Sequence, residues 1–309
     1  MSDNANESSK TSEVFTGKFS LQSQEIPFAH FVHHCSIENI LNVMTEEWNL
    51  QIPNIMLILV SDNASLSGWP DFKEQERFVK GLIKASNATS MWILTSGLNI
   101  GIMKVIGDAF QLDFKKRYAQ FCYSQFTENN KMKKTPLIGN CSQKWSQSLL
   151  LKLEDAFRGF LSGEDMSNVL PSSPVPVIAV LVQGNLNSVH YILAHLKRKL
   201  PILIIKGSGG LADILAYAYY EVQRSAEPPE LRYITVFSTL DLDRDIEDLP
   251  SHLLETVFKA QKPDVSNYHA HLKRNLLLTI DWNCPQLAVT KVFYIDPSFK
   301  VKFHYNSNF

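Results

Sequence analysis

A chain of 309 residues, 45% hydrophobic and 20% charged, has ample apolar matter for about two domains, or one large α/β domain with an appendage. With 30 Lys and Arg against 31 Asp and Glu, the net charge of −1 excludes a bulk field that would draw nucleic acid or an anionic membrane surface. Four cysteines (Cys35, Cys122, Cys141, Cys284) lie far apart without a C-x-x-C pair, which excludes a secreted disulfide framework and points to free thiols in a reducing compartment.

Residues 1–13 are polar, lack the apolar core of a signal peptide, and read as a disordered tail. The spacing predicts an edge strand at Phe28–His34, then a helix over Ser36–Trp48 with Ser36 as N-cap. NIMLILVS (54–61) is a buried strand. Phe72–Ser86 is a helix with Phe78, Val79, Leu82 and Ile83 on its apolar stripe. Met91–Thr95 is the next strand, followed by a helix over Ile102–Leu112. Residues 113–145 carry basic clusters and aromatics with a short strand at Leu137–Ile138, and read as a solvated insert rather than an RNA-binding surface.

Trp145–Leu161 has helical spacing, and LSGEDMSNVLPSSP is a surface linker. Val177–Val182, Ile202–Ile205 and Tyr233–Phe237 are further buried strands with helices between them. Strands alternating with helices predict an α/β fold with a doubly wound, mainly parallel sheet. After Asp248 the period is helical throughout, over Ser251–Gln261, Tyr268–Trp282 and Pro285–Val292, which sets a boundary near residue 248. Apolar runs such as Val175–Val182 fall far short of the roughly 18–20 residues that span a bilayer, so a soluble, cytoplasmic chain is expected.

The chemistry-bearing signal is one repeated device. Three strands each end in a glycine-bearing turn before a helix: Thr95-Ser96-Gly97-Leu98-Asn99, Gln183-Gly184-Asn185-Leu186-Asn187, and Gly207-Ser208-Gly209-Gly210. In a parallel sheet these turns share one edge, where α/β folds bind ligands outside the carboxyl ends of their strands. Free N–H groups at a helix N-terminus there can hold an anion. The candidate ligand-binding residues are Thr95, Ser96, Gly97, Asn99, Gly184, Asn187, Gly207, Ser208, Gly209 and Gly210. Glycines also permit tight turns that hold nothing, and Asp213, in the first turn of its helix, reads as a structural cap.

No G-x-x-x-x-G-K-S/T and no complete G-x-G-x-x-G is present, so no specific nucleotide motif applies. The acidic run Asp241, Asp243, Asp245, Glu247, Asp248 lacks the glycine and terminal glutamate of an EF-hand and reads as a solvated connector. His33-His34 and His269-x-His271 have no carboxylate or cysteine at ligand spacing, so no metal site is expected.

Five blocks occur in order: WNLQIPNIMLILVS, FVKGLIKASNATSMWILTSGLNIGIMKVIGDAF, VPVIAVLVQGNLNSVHYIL, LPILIIKGSGGLADILA and HLKRNLLLTIDWNCPQLA. Together they resemble the cytosolic N-terminal region of melastatin-type transient receptor potential (TRPM) cation channels over roughly residues 15–295. The resemblance implies a Rossmann-like SLOG domain over residues 14–248. It also implies that residues 249–309 form an α-helical segment similar to the start of the channels' ankyrin-like repeats. The implied function is a regulatory and assembly domain of a calcium-permeable TRPM-like channel, with channel subunits as partners and membrane association only through the parent channel.

The chain departs from the family pattern at Val60-Ser61-Asp62-Asn63 and Thr95-Ser96-Gly97, where Gly-Gly pairs are usual, and is shorter between residues 112 and 174. Some members bind ADP-ribose, which makes an ADP-ribose-like nucleotide the candidate ligand. One of their arginines falls where this chain has Gly210, and Arg158 is out of register with another. Related SLOG hydrolases carry G-G-x-G-T-x-x-E, whereas Gln183–Tyr191 holds no glutamate, so a non-enzymatic domain is expected. Two alternatives stand beside the channel reading: a free-standing sensor of a nucleotide-like small molecule, and an N-glycosidic hydrolase.

Overall fold

Six parallel strands make the central sheet of the computed structural model. The structure describes residues 14–21, 24–31, 35–61, 69, 72–96, 100–123, 137–139, 146–157, 175–225, 229–238, 249–260 and 268–296. The chain divides into two compact units, residues 1–52 with 152–174, and residues 53–151 with 175–309.

In the first unit, β1 (Val14–Leu21) and β2 (Gln24–Phe31) form an antiparallel hairpin, in register from Val14↔Phe31 to Leu21↔Gln24. The expected edge strand is thus displaced to 24–31, and its partner was not expected. Gly17 faces Phe28 across the pair, and the ring lies where a Cβ on Gly17 would be, 2.8 Å from Phe28 Cζ. An aromatic covering a strand glycine offsets the packing that the glycine lacks. The helix α1 (Ile37–Asn42) starts on Ser36, whose hydroxyl accepts from the Asn39 N–H at 3.2 Å, then widens into a π turn over Val43–Glu47.

The second unit carries the sheet. β3 (Ile55–Val60), β4 (Met91–Thr95), β5 (Leu137–Gly139), β6 (Val177–Leu181), β7 (Ile202–Lys206) and β8 (Ile234–Ser238) are joined in parallel register. All six residues of β3 are buried, as expected of a central parallel strand covered on both faces. From β3 the chain steps outward through β4 to β5. It then returns to the other side of β3 with β6 and steps outward again through β7 to β8. The winding reverses between β3 and β6, the switch point at which such sheets open a crevice.

The crossovers are α2 (Phe72–Ala88), α3 (Gly101–Tyr123), α5 (Leu186–Lys197) and α6 (Gly210–Ser225). A further helix, α4 (Ser146–Phe157), precedes β6. α3 runs to Tyr123, past the expected end at Leu112 and into the stretch read as an insert. No glycine or proline interrupts Gln111–Tyr123, so nothing in the backbone stops the helix there. One core gathers Leu57, Ile93, Ile178 and Leu203 from the strands with Leu82 of α2 and Ile106 of α3. Burial of each such side chain contributes about 1.5–3 kcal/mol.

α7 (Leu249–Ala260) packs into this same core through Leu253, Leu254 and Val257, with Leu278 and Trp282 at the end of α8 (Tyr268–Asp281). The helices after residue 248 therefore share the sheet's compact unit. A short α9 (Pro285–Ala288) widens into a π turn over Val289–Phe293. Among the described residues no helix is long and apolar enough to cross a membrane.

Candidate functional site

The loops after β6 and β7 interlock at the carboxyl edge of the sheet. Gln183 and Gly184 both take left-handed backbone, with φ of 58° and 82°. This reversal turns their carbonyls toward the start of α6, where Gln183 O accepts from the Ala212 N–H at 2.8 Å and Gly184 O from Leu211 at 3.0 Å. The Gln183 N–H in turn donates to Ser208 Oγ at 2.9 Å, and the Ser208 hydroxyl donates to the Ile205 carbonyl at 2.6 Å. Ser208 has 0% exposure, so its hydroxyl is a structural rivet between the two loops.

Gly210 lies beneath the first loop. At its φ of 60°, a Cβ would stand 2.6 Å from Gly184 O and 3.1 Å from Gln183 C. No side chain fits there without moving backbone. The turn itself is closed by Asp213: the Gly207 N–H donates to Oδ1 at 2.6 Å, and the Gly209 N–H to Oδ2 at 3.2 Å. The cap expected of Asp213 is thus present, and it spans two donors of the glycine turn.

α5 is capped by its own residues. Asn185 Oδ1 accepts from the Asn187 N–H at 2.9 Å, and the Ser188 hydroxyl accepts from the Asn185 N–H at 3.4 Å, a reciprocal capping box. The structure therefore brings Gly184, Gly207, Ser208, Gly209 and Gly210 together, with Asn187 on the exposed first turn of α5 beside them. Thr95 and Ser96 stand at the end of β4, separated from β6 by β3. Gly97 and Asn99 lie outside the described residues, as do His33, His34 and the run Asp241–Asp248.

A second set of atoms joins Ser96, a candidate from the sequence, to Ser61 and Gln183, which sequence reasoning missed. Ser61 follows β3, Ser96 follows β4 and Gln183 follows β6, so three adjacent strands end in polar side chains. Ser61 Oγ, Ser96 Oγ and Gln183 Oε1 are each inaccessible to solvent and have no hydrogen-bond partner among the described residues. Gln183 is 5% exposed, and a buried amide oxygen left unpaired costs about 1–3 kcal/mol. The strand-ending positions of Ser61 and Gln183 were visible, but their adjacency depends on the winding reversal, which no local pattern encodes.

A separate concavity of about 180 Å³ lies between α5, α6 and the strands β7 and β8, lined by Ile192, Leu196, Leu215, Tyr219, Val222 and Ile234 among others. Its lining is almost wholly apolar, without the convergent polar groups that orient a small ligand. Among the described residues no group of three or more His, Cys, Asp or Glu side chains could hold a metal ion. Cys35 and Cys284 are buried free thiols, and Cys284 Sγ donates to the Trp282 carbonyl at 3.4 Å.

The family model described as SLOG in TRPM matches residues 27–124 and 148–257, so β3, β4, β6, β7, β8 and the interlocked loops fall within it, and β5 lies between the two matched segments. The chain is 24% identical to the Transient receptor potential cation channel trpm of Drosophila melanogaster, over 83% of this chain and 16% of that protein. It is 25% identical to subfamily M member 6 of Mus musculus, over 60% of this chain and 11% of that protein. It is 22% identical to member 7 of Homo sapiens, over 83% of this chain and 17% of that protein. The chain thus spans less than a fifth of the length of these curated relatives. It belongs to the family of SLOG domains found in the N-terminal regions of TRPM channels.

Proposed function

We propose that this chain acts as a cytosolic regulatory and assembly domain of a TRPM-like, calcium-permeable cation channel, working through contacts with channel subunits and without catalysis of its own. The observation that carries this reading is the match of five of the six sheet strands to a domain whose relatives are channels. The exposed apolar side chains are in keeping with an assembly role. On α6, Ile214 is 66% and Tyr217 69% exposed, and Tyr294, past the end of α9, is 83% exposed. Ile214 and Tyr217, at i and i+3, share one face of α6 and are available to meet other protein. In this reading residues 249–309 begin the channel's helical repeats, and the domain sits on the cytoplasmic side.

The absence of catalysis rests on residue chemistry. A SLOG-type hydrolase needs a carboxylate in the stretch from Gln183 to Tyr191, and none stands there. The test of the main reading is co-expression with a TRPM channel under patch clamp. A changed current amplitude or gating supports it, and identical currents with and without the chain count against it.

A second reading is favoured by one observation, that Ser61, Ser96 and Gln183, past the carboxyl ends of β3, β4 and β6, hold polar atoms with no hydrogen-bond partner among the described residues. Here the crevice takes a small molecule bearing hydrogen-bond donors, such as the base or ribose of an ADP-ribose-like nucleotide. Ligand binding would then bias the domain's contacts with the channel. Thermal unfolding with adenosine and ADP-ribose tests it, because occupancy of the folded state alone raises Tm. No shift at millimolar ligand removes this reading.

A further inference from the structure

The concavity between α5 and α6 is apolar in its lining, and a charge stands directly beside one wall of it. Leu215, Tyr219 and Val222 recur at i, i+4 and i+7 on α6 and form that wall. Ile214 and Tyr217, the pair offered to channel subunits, lie on another face of the same helix. Ile192 of α5 with Ile202 and Ile204 of β7 make the floor, at 4%, 0% and 1% exposure. Ala218 and Val222 at the rim are exposed, so the space opens to solvent. An empty apolar volume of about 180 Å³ forfeits dispersion contacts along its whole lining.

The charge is Lys259, near the end of α7. Its ammonium donates to Ile234 O at 2.9 Å and to Tyr219 Oη at 3.2 Å, and lies 5.6 Å from the centroid of the Tyr219 ring. Tyr219 and Ile234 both line the concavity. An ammonium has three donors, and two of these are engaged, both on neutral acceptors. Among the described residues no carboxylate pairs with Lys259, and the phenolic proton of Tyr219 has no acceptor. We propose that this concavity binds a medium-chain fatty acid, with its alkyl chain in the apolar volume and its carboxylate on Lys259 and Tyr219.

Size and charge select this occupant. Dry apolar cavities of about 150 Å³ take a six-carbon guest, so this one suits a chain of about six to eight carbons. The two acyl chains of a phospholipid would overfill it. An alkylammonium would meet Lys259 as a like charge, and an alcohol would leave the ammonium without a counter-ion. A carboxylate makes charge-assisted bonds there. The inference stands apart from channel binding and from the crevice at the switch point, because it uses neither Ile214 and Tyr217 nor the glycine loops.

The test is isothermal titration of the full chain with hexanoate, octanoate and decanoate, each below its micelle concentration. Affinity is expected to rise about fourfold per added methylene up to octanoate and to level off beyond it, as the volume fills. Octanoate is expected to bind about tenfold more tightly than 1-octanol, and octylammonium more weakly than either. Lys259→Met keeps the stem and loses the charge, and should bring octanoate down to octanol while leaving octanol unchanged. Lys259→Arg should restore most of the preference. A lysine that only braces α7 against β8 would lower Tm on removal without moving that ratio. Ala218→Phe sets a ring in the exposed rim and should abolish binding of both ligands with little change in Tm. Should Lys259→Met not fold, the wild-type ratio of octanoate to octanol and the loss of both in Ala218→Phe decide the matter. The proposal is overturned if no saturable octanoate binding appears up to millimolar ligand, if octanoate and octanol bind alike, or if Ala218→Phe leaves octanoate affinity unchanged. It is overturned too if octanoate fails to bind while Ala218→Phe releases the chain from a TRPM channel, since the concavity would then seat protein.

Discussion

The carbonyl oxygen of Gly184 lies 2.6 Å from the point where a Cβ on Gly210 would sit, so the loop after β6 rests directly on the start of α6. The contact is backbone on backbone, and neither side can yield by rotating a side chain. It also holds α6 at the height at which Leu211 and Ala212 reach the carbonyls above them.

Gly210→Ala is therefore expected to be costly. The positive φ disfavours any Cβ by about 1–2 kcal/mol, and overpacking against fixed backbone adds about 1–3 kcal/mol. Urea unfolding should show a loss of about 2–5 kcal/mol, and Gly210→Arg should lose at least as much. A loss well under 1 kcal/mol would mean that the two loops can separate freely.

A second close approach joins α2 to α7. A Cβ on Gly81 would lie 3.0 Å from Leu249 Cβ and 3.1 Å from Leu249 Cδ2. In Gly81→Ala the gain in helix propensity, about 1 kcal/mol, opposes the crowding, so the net change should be small. Gly81→Val is bulkier and β-branched and should cost about 2 kcal/mol. In a Leu249→Ala background, where Cδ2 is gone, that cost should fall by half or more. Denaturation of the four chains of this cycle measures the coupling; strict additivity would show that the helices are not in contact through this pair.

The strands of the sheet were legible in the sequence because β3, β4, β6, β7 and β8 are short, continuous apolar runs set off by Gly, Pro and polar clusters. The hairpin β1–β2 was not. Its strands meet across Gln22-Ser23, which is no hairpin-turn pair, and Gly17 breaks the apolar alternation that would have marked Val14–Leu21. For α7 the period was readable but the packing was not: an apolar stripe says that a helix buries one face, not which element it buries it against. At the candidate site the glycine turns were visible and their occupancy was not. Asp213 reads as an ordinary first-turn acid, and only the backbone path of Gly207–Gly209 brings two N–H groups onto its carboxylate.

The lack of a glutamate between Gln183 and Tyr191 predicts a null result in one assay. Incubation of the purified chain with AMP and other nucleoside monophosphates should release no free base above a buffer control, by chromatography. Release that scales with chain concentration would require a catalytic carboxylate from elsewhere in the molecule and would overturn the non-enzymatic reading.

The central claim is that this SLOG domain meets TRPM channel subunits. The most direct measurement is co-purification of the tagged chain with a full-length TRPM channel, such as the human member 7 with which it shares 22% identity over 83% of its length. The account predicts that the chain is retained on the channel in detergent, and that replacing exposed Ile214 and Tyr217 together by Ser weakens retention while leaving the chain's Tm within a few degrees. A wild-type chain, folded by circular dichroism, that elutes free of every TRPM channel offered to it would contradict the account.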